Sequence, residues 1–140
     1  MARQTHAWAA AVALVGLLLA SDVVVGKDTL FPGESLQSGE FLENGPYRFI
    51  MQDDCNLVLY VSQSRSLWAS GTDGKGTACV ATLQADGYLV VLSGSIVLWS
   101  SNTAGGFKNY ILIVQRDGNV VIYGAALWAT NTAQSRRRLL

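Results

Sequence analysis

The chain is poor in the residues that most catalytic and metal-binding arrangements require. Its 140 residues include one histidine, His6, and two cysteines, Cys55 and Cys79. His6 lies in an N-terminal segment expected to be removed, so a Ser-His-Asp or Cys-His arrangement in the remaining chain lacks its base, and two cysteines without histidines are too few for a zinc site. No metal or other cofactor is expected. There is no excess of charge of either sign, because ten basic and ten acidic side chains cancel. Nucleic-acid binding relies on Lys and Arg concentrated against phosphate, so neutrality excludes the usual electrostatic basis for that partner. Proline is scarce, at two residues against 14 glycines, while half of the residues are apolar. That composition excludes a disordered or collagen-like chain and indicates one small domain with a core.

The longest apolar run lies at the N-terminus. Ala7 to Ala20 carries no charged residue and follows the basic Arg3. As a helix it would reach roughly 21 Å, short of the ~30 Å hydrocarbon core, so residues 1–26 read as a secretory signal rather than a membrane span. The alternative is an anchor or a buried helix. Cleavage after Gly26 would remove His6, Trp8, Arg3 and Asp22 together, leaving a neutral chain without histidine. The expected destination is extracellular, with the vacuole as the alternative. In a secreted chain Cys55 and Cys79 are expected to pair, which contributes about 3–4 kcal/mol on the chain-entropy estimate, the other reading being two buried thiols.

Beyond the leader the sequence repeats itself. Gln52-Asp-Asp-Cys-Asn-Leu-Val-Leu-Tyr60, Gln84-Ala-Asp-Gly-Tyr-Leu-Val-Val-Leu92 and Gln115-Arg-Asp-Gly-Asn-Val-Val-Ile-Tyr123 align without gaps, their glutamines 32 and 31 residues apart. Each is followed by an echo: Leu67-Trp-Ala-Ser-Gly-Thr72, Leu98-Trp-Ser-Ser-Asn-Thr103 and Leu127-Trp-Ala-Thr-Asn-Thr132. Two motifs recurring in one order mark a threefold internal repeat. The segments 47–52, 57–61, 88–92, 110–115 and 120–123 are short and rich in β-branched and aromatic residues, with turn formers between them. The expected domain is all-β with pseudo-threefold symmetry. Trp68, Trp99 and Trp128, one per unit, are expected to meet in a shared core, the alternative role being ligand stacking.

The nine-residue motif places Gln, Asp, Asn, Val and Tyr on alternate positions. A straight strand would spread its ends over about 26 Å, too far for one small ligand. The Asp-Gly step of the second and third copies is a strong hairpin signal, and a reversal there would gather these side chains into one cluster. Such a cluster combines a hydrogen-bond-accepting carboxylate, two amides, a phenol and an apolar patch. That set suits adjacent hydroxyls around a C–H face, as in a sugar. It does not suit glycoside hydrolysis, which needs two carboxylates facing one cleft at about 5–9.5 Å. Asp53 and Asp54 are chain neighbours, and the other copies lack the Asp53 equivalent. No enzymatic activity is expected. A purely structural role for the motif explains Asp-Gly-Asn and Val-x-Tyr, but not the glutamine two residues before the aspartate.

On these motifs the sequence closely resembles the monocot mannose-binding lectins, the bulb-type or snowdrop-like family, over about Asp28 to Thr132. The resemblance implies a β-prism II fold, three four-stranded antiparallel sheets about a pseudo-threefold axis. It also implies a Cys55–Cys79 disulfide and a lectin domain spanning residues 27–132. It further implies that Asp and Asn hold the 2-hydroxyl of mannose, Gln the 3-hydroxyl and Tyr the 4-hydroxyl, with Val against the ring. The first site would be Gln52, Asp54, Asn56, Val58 and Tyr60; the third, Gln115, Asp117, Asn119, Val121 and Tyr123. In the middle copy Gln84, Asp86 and Val90 are kept, but Tyr88 replaces Asn and Leu92 replaces Tyr, so that site is expected to be inactive. Implied partners are mannose and mannose-containing glycans, and the implied role is defence or storage, in a monomer or a homodimer. The alternative function is that of the taste-modifying relatives, which act through protein contacts. Residues 133–140 form a tail that completes a sheet, pairs across a dimer or is trimmed, and its Arg136–Arg138 run reads as solvated. No Asn-x-Ser/Thr acceptor is present.

Overall fold

The computed structural model describes residues 26–103, 109–124 and 128–134. The leader expected at 1–26, apart from Gly26, and the tail beyond Gln134 lie outside the described residues. Twelve strands are seen: β1 (Thr29–Leu30), β2 (Ser35–Leu36), β3 (Phe41–Asn44), β4 (Tyr47–Met51), β5 (Leu57–Val61), β6 (Arg65–Ala69), β7 (Val80–Leu83), β8 (Leu89–Ser93), β9 (Ile96–Ser100), β10 (Ile111–Val114), β11 (Val120–Tyr123) and β12 (Trp128–Ala129). They form three four-stranded sheets, ordered β3-β4-β5-β6, β2-β7-β8-β9 and β1-β10-β11-β12. The pairings between neighbouring strands are antiparallel. Each sheet thus belongs to one sequence repeat. The second and third complete themselves with short strands from the N-terminal segment, which joins the units in one body.

Strand alternation sorts the side chains by face. In β4, Tyr47, Phe49 and Met51 are buried while Arg48 and Ile50 stand on the outer face. In β5, Leu57 and Leu59 point inward with them. Equivalent residues, among them Leu83, Leu89, Val91, Leu112 and Ile122, complete one continuous core between the sheets. Burying each such side chain contributes about 1.5–3 kcal/mol, the dominant favourable term in a domain of this size. Trp68, Trp99 and Trp128 sit half-buried against this core, with ring centroids 5.2, 5.4 and 5.7 Å apart and all three pairs edge-to-face. That geometry is the one favoured by the ring quadrupoles, with positive edges against negative faces. The three indoles, one from each repeat, therefore meet one another and pack against the buried core.

The three sheets are clasped at three pseudo-equivalent junctions. Five residues before each motif glutamine stand Tyr47, Cys79 and Tyr110; three residues after it stand Cys55, Gly87 and Gly118. All three of the latter have positive φ, at 74°, 91° and 84°. The Tyr110 ring packs so closely on Gly87 that a Cβ there would lie 2.9 Å from it, and Tyr47 on Gly118 would meet one at 2.7 Å. At the remaining junction Cys79 bonds to Cys55, with Cα atoms 5.2 Å apart. One disulfide and two tyrosine-on-glycine contacts do the same work. Gly118→Ala is accordingly expected to destabilise the fold by about 2–4 kcal/mol. It would combine overpacking with a left-handed backbone unfavourable to an L side chain. Urea unfolding checks this, and a loss under 1 kcal/mol would mean that Tyr47 moves aside freely.

Candidate functional site

In each sheet the glutamine directly follows one strand and Val-x-Tyr, or its variant, lies on the next. The turn between them is closed by the same bonds in all three copies. The N–H groups of Gln52, Gln84 and Gln115 donate to the carbonyls of Asn56, Tyr88 and Asn119 at 2.9, 2.8 and 2.8 Å. The N–H groups of Cys55, Gly87 and Gly118 return to the glutamine carbonyls at 3.1, 3.0 and 3.1 Å. Residues 52, 84 and 115 therefore belong to turns, and the strands stop one residue earlier than the sequence pattern suggests. Tyr88 likewise lies just before β8 because its carbonyl closes the turn.

The aspartates serve the turn before they serve any ligand. Oδ1 of Asp54, Asp86 and Asp117 accepts the N–H two residues on, from Asn56, Tyr88 and Asn119, at 2.9, 3.1 and 3.0 Å. This Asx-turn stabilises a reversal by mimicking a backbone turn. It is intact in the variant copy as well, which explains why Asp86 persists where other motif residues do not. All three carboxylates are exposed, and among the described residues none occupies Oδ2, which is left to accept from outside.

The asparagines are fixed from behind. Asn56 Oδ1 accepts from Ser70 Oγ at 3.3 Å, Gly71 N–H at 3.0 Å and Thr72 N–H at 3.2 Å. Asn119 Oδ1 accepts from Thr130 Oγ1 at 3.0 Å and Thr132 N–H at 3.3 Å. With Oδ1 so engaged, Nδ2 is the free end, presented as a donor. The donors come from the echo motif, whose Ser/Thr-x-Thr pair also ties down the turn. Thr72 Oγ1 and Thr103 Oγ1 donate to the carbonyls of Cys55 and Gly87 at 2.5 and 2.7 Å, and Thr132 Oγ1 does so to Gly118. Ser70, Ser101 and Thr130 accept the N–H of Leu57, Leu89 and Val120. Sequence reasoning missed these hydroxyls, although their recurrence in every copy was a usable signal.

At the far end of the cluster Tyr60 Oη donates to Gln52 Oε1 at 3.3 Å, and Gln115 Nε2 donates to Tyr123 Oη. Beneath them Val58 and Val121 are 2% and 4% exposed, so each offers only a thin apolar floor. The first and third hairpins thus bring all five motif residues together. In the second, Leu92 gives Gln84 no hydroxyl partner, Tyr88 has no amide, and a half-buried ring stands in the asparagine position. A register irregularity between Leu59 and Tyr60, and between Val91 and Leu92, re-aims the last motif residue in these two sheets.

No group of His, Cys, Asp or Glu among the described residues is placed to hold a metal ion. The arrangement is a shallow set of fixed donors and acceptors over an apolar floor, suited to binding a polyhydroxylated ring.

Three four-stranded antiparallel sheets, one for each repeat and each carrying a Gln-x-Asp hairpin, define the β-prism II class. No family model matches the chain. Comparison with known proteins finds a mannose-specific lectin of Aloe arborescens that is 49% identical over 107 residues, covering 75% of this chain and 97% of that protein. A mannose-specific lectin of Narcissus pseudonarcissus is 53% identical over 64 residues, a match that spans only 58% of its length. Among solved structures, a monomeric monocot mannose-binding lectin from Gastrodia elata shares 53% identity at a TM-score of 0.73, covering 76% of this chain and 99% of that one. The snowdrop (Galanthus nivalis) bulb lectin, complexed with methyl-α-D-mannoside, shares 47% identity at a TM-score of 0.68, covering 78% and 100%. The chain belongs to the monocot mannose-binding lectins, a family of carbohydrate-binding proteins and not of enzymes.

Proposed function

We propose that the chain binds terminal mannose and mannose-rich glycans at two sites, the first and third hairpins, with the second hairpin inactive. The observation that carries this reading is the gathering of Gln, Asp, Asn and Tyr on one hairpin in those two sheets. Asp Oδ2 and Asn Nδ2 would meet the 2-hydroxyl, Gln the 3-hydroxyl and Tyr the 4-hydroxyl, with Val58 or Val121 under the ring. Two intact motifs and a single cysteine pair favour sugar binding over a role through protein contacts alone. A shallow site with a few exchanged hydrogen bonds supports affinity near the millimolar range, about −4 kcal/mol. Useful strength then comes from two sites engaging one clustered glycan surface, which raises avidity without new contacts. Fungal and bacterial walls or insect gut surfaces are such targets and fit a defence role. The N-terminal apolar segment supports entry into the secretory route.

Calorimetric titration with methyl α-mannoside should return two equivalents per chain. Failure to bind either that sugar or an oligomannoside would overturn the assignment.

A further inference from the structure

The two intact hairpins share their five motif residues but differ in what stands beside them. Four residues before the glutamine, the first sheet carries Arg48, whereas the second carries Val80 and the third Ile111. Each lies directly across the strand pair from the last motif residue: Arg48 from Tyr60, Val80 from Leu92, Ile111 from Tyr123. Arg48 is also held in place. Its guanidinium stands 4.0 Å over the Phe41 ring and donates to Glu43 Oε2 at 3.1 Å. A guanidinium has five N–H donors, and Glu43 takes only part of that set.

Beside Gln52 the surface has two hollows. One, about 220 Å³, is lined by Arg48, Ile50, Gln52, Tyr60 and Gln63. The other, about 370 Å³, is lined by Gly39, Ile50, Gln52, Asp53 and Asp54. They share Ile50 and Gln52, so they adjoin at the motif glutamine and extend the hairpin site across β4. Their walls are polar at both ends, with an arginine and an amide on one side and two carboxylates on the other. Asp53 Oδ1 is fixed by Ser38 Oγ at 2.7 Å. In the third copy the Asp53 position is Arg116, so the flanking chemistry differs at both ends.

We propose that the first hairpin is a two-ring site, in which a second mannose unit of a glycan lies against Arg48 and Gln63, while the third hairpin takes a single ring. The inference rests on the mannose-binding reading above and makes Arg48 a specificity-determining residue. Sugar hydroxyls suit the spare guanidinium donors and the Gln63 amide. Ile111 offers no such group. The ion pair to Glu43 already balances the arginine charge, which favours a neutral second ring over an anionic one.

Titration of single-site variants separates the two sites. Asp117→Asn leaves the first hairpin and Asp54→Asn leaves the third. Each is titrated with methyl α-mannoside, α-1,3-mannobiose and α-1,6-mannobiose. At the first hairpin at least one dimannoside should bind about tenfold more tightly than the monosaccharide, the size of one hydrogen bond to a charged donor. At the third the ratio should stay near one. Adding Arg48→Ile to Asp117→Asn should bring the ratio down to that of the third hairpin. Should Arg48→Ile lower the melting temperature, Gln63→Asn decides instead, because Asn tolerates the positive φ of 59° at that turn. A ratio near one at the first hairpin, equal ratios at both hairpins, or a ratio unmoved by the deciding variant would overturn the two-ring site and leave mannose binding standing. Absence of binding by the unmodified chain to all three sugars would remove the underlying reading itself.

Discussion

Asp54→Asn and Asp117→Asn should each remove one of two mannose equivalents, and Asp86→Asn should remove none. The substitution is chosen because of what the carboxylate does in the turn. Oδ1 accepts the N–H two residues on in every copy, and the carboxamide oxygen of asparagine can still do so. What changes is the outer atom, which turns from an acceptor into a donor where the proposed contact to the sugar 2-hydroxyl requires an acceptor. A hydrogen bond to a charged group contributes about 1.5–3 kcal/mol, so its loss weakens a site roughly 10- to 150-fold. From a millimolar starting point the site disappears from the titration. Thermal melts should move little, which separates loss of a ligand contact from loss of the hairpin. An alanine at the same position would confuse the two effects.

The second hairpin supplies the complementary result. Its backbone turn, its Asx bond and its Ser101–Thr103 brace are all in place, so only side chains separate it from the other two. Tyr88→Asn with Leu92→Tyr should therefore raise the stoichiometry from two to three. If Asp86→Asn instead depressed binding as much as the other two variants, the division into two active hairpins and one inactive hairpin would be wrong.

Much of this was legible in the sequence because the repeat is chemically loud. The spacing of Gln52, Gln84 and Gln115, the echo of Leu-Trp motifs and the Asp-Gly steps located the hairpins, and strand alternation placed Val and Tyr on the outer face with Gln. Other features depend on relations between copies that no single motif displays. Cys79 occupies the position of Tyr47 and Tyr110, but that equivalence has meaning only when each is seen against Cys55, Gly118 and Gly87 of another sheet. Short N-terminal strands such as Thr29–Leu30 and Ser35–Leu36 lack a periodic pattern long enough to read. They exist because β10 and β7 present edges that need partners. Arg48 escaped notice for a related reason. Its neighbours Phe41 and Glu43 on β3 and Tyr60 on β5 come from two other strands, and in sequence it is one more charge inside an apolar run.

The largest stability effect should come from the disulfide, and the pseudo-symmetry predicts how it can be replaced. Changing Cys55 and Cys79 together to alanine removes a link across 24 residues, at a cost of about 3–4 kcal/mol on the chain-entropy estimate. It also leaves alanine at a positive φ of 74°, where an L side chain costs roughly 1–2 kcal/mol. Cys55→Gly with Cys79→Tyr should recover part of this, because it rebuilds the contact that Tyr110 makes on Gly87 and Tyr47 makes on Gly118. The recovered portion has two sources, relief of the backbone at residue 55 and burial of a tyrosine ring at the junction. Urea unfolding of the two double variants measures it, and equal stabilities would mean that the three junctions are not interchangeable. Binding should follow the same geography. Cys55 stands between Asp54 and Asn56 inside the first hairpin, and its carbonyl is held by Thr72. Loosening the junction should weaken mannose binding there while the third hairpin, clasped by Tyr47 on Gly118, keeps its affinity. The alanine pair should therefore titrate with one strong and one weakened equivalent, and the glycine–tyrosine pair should bring the weakened site back toward the other.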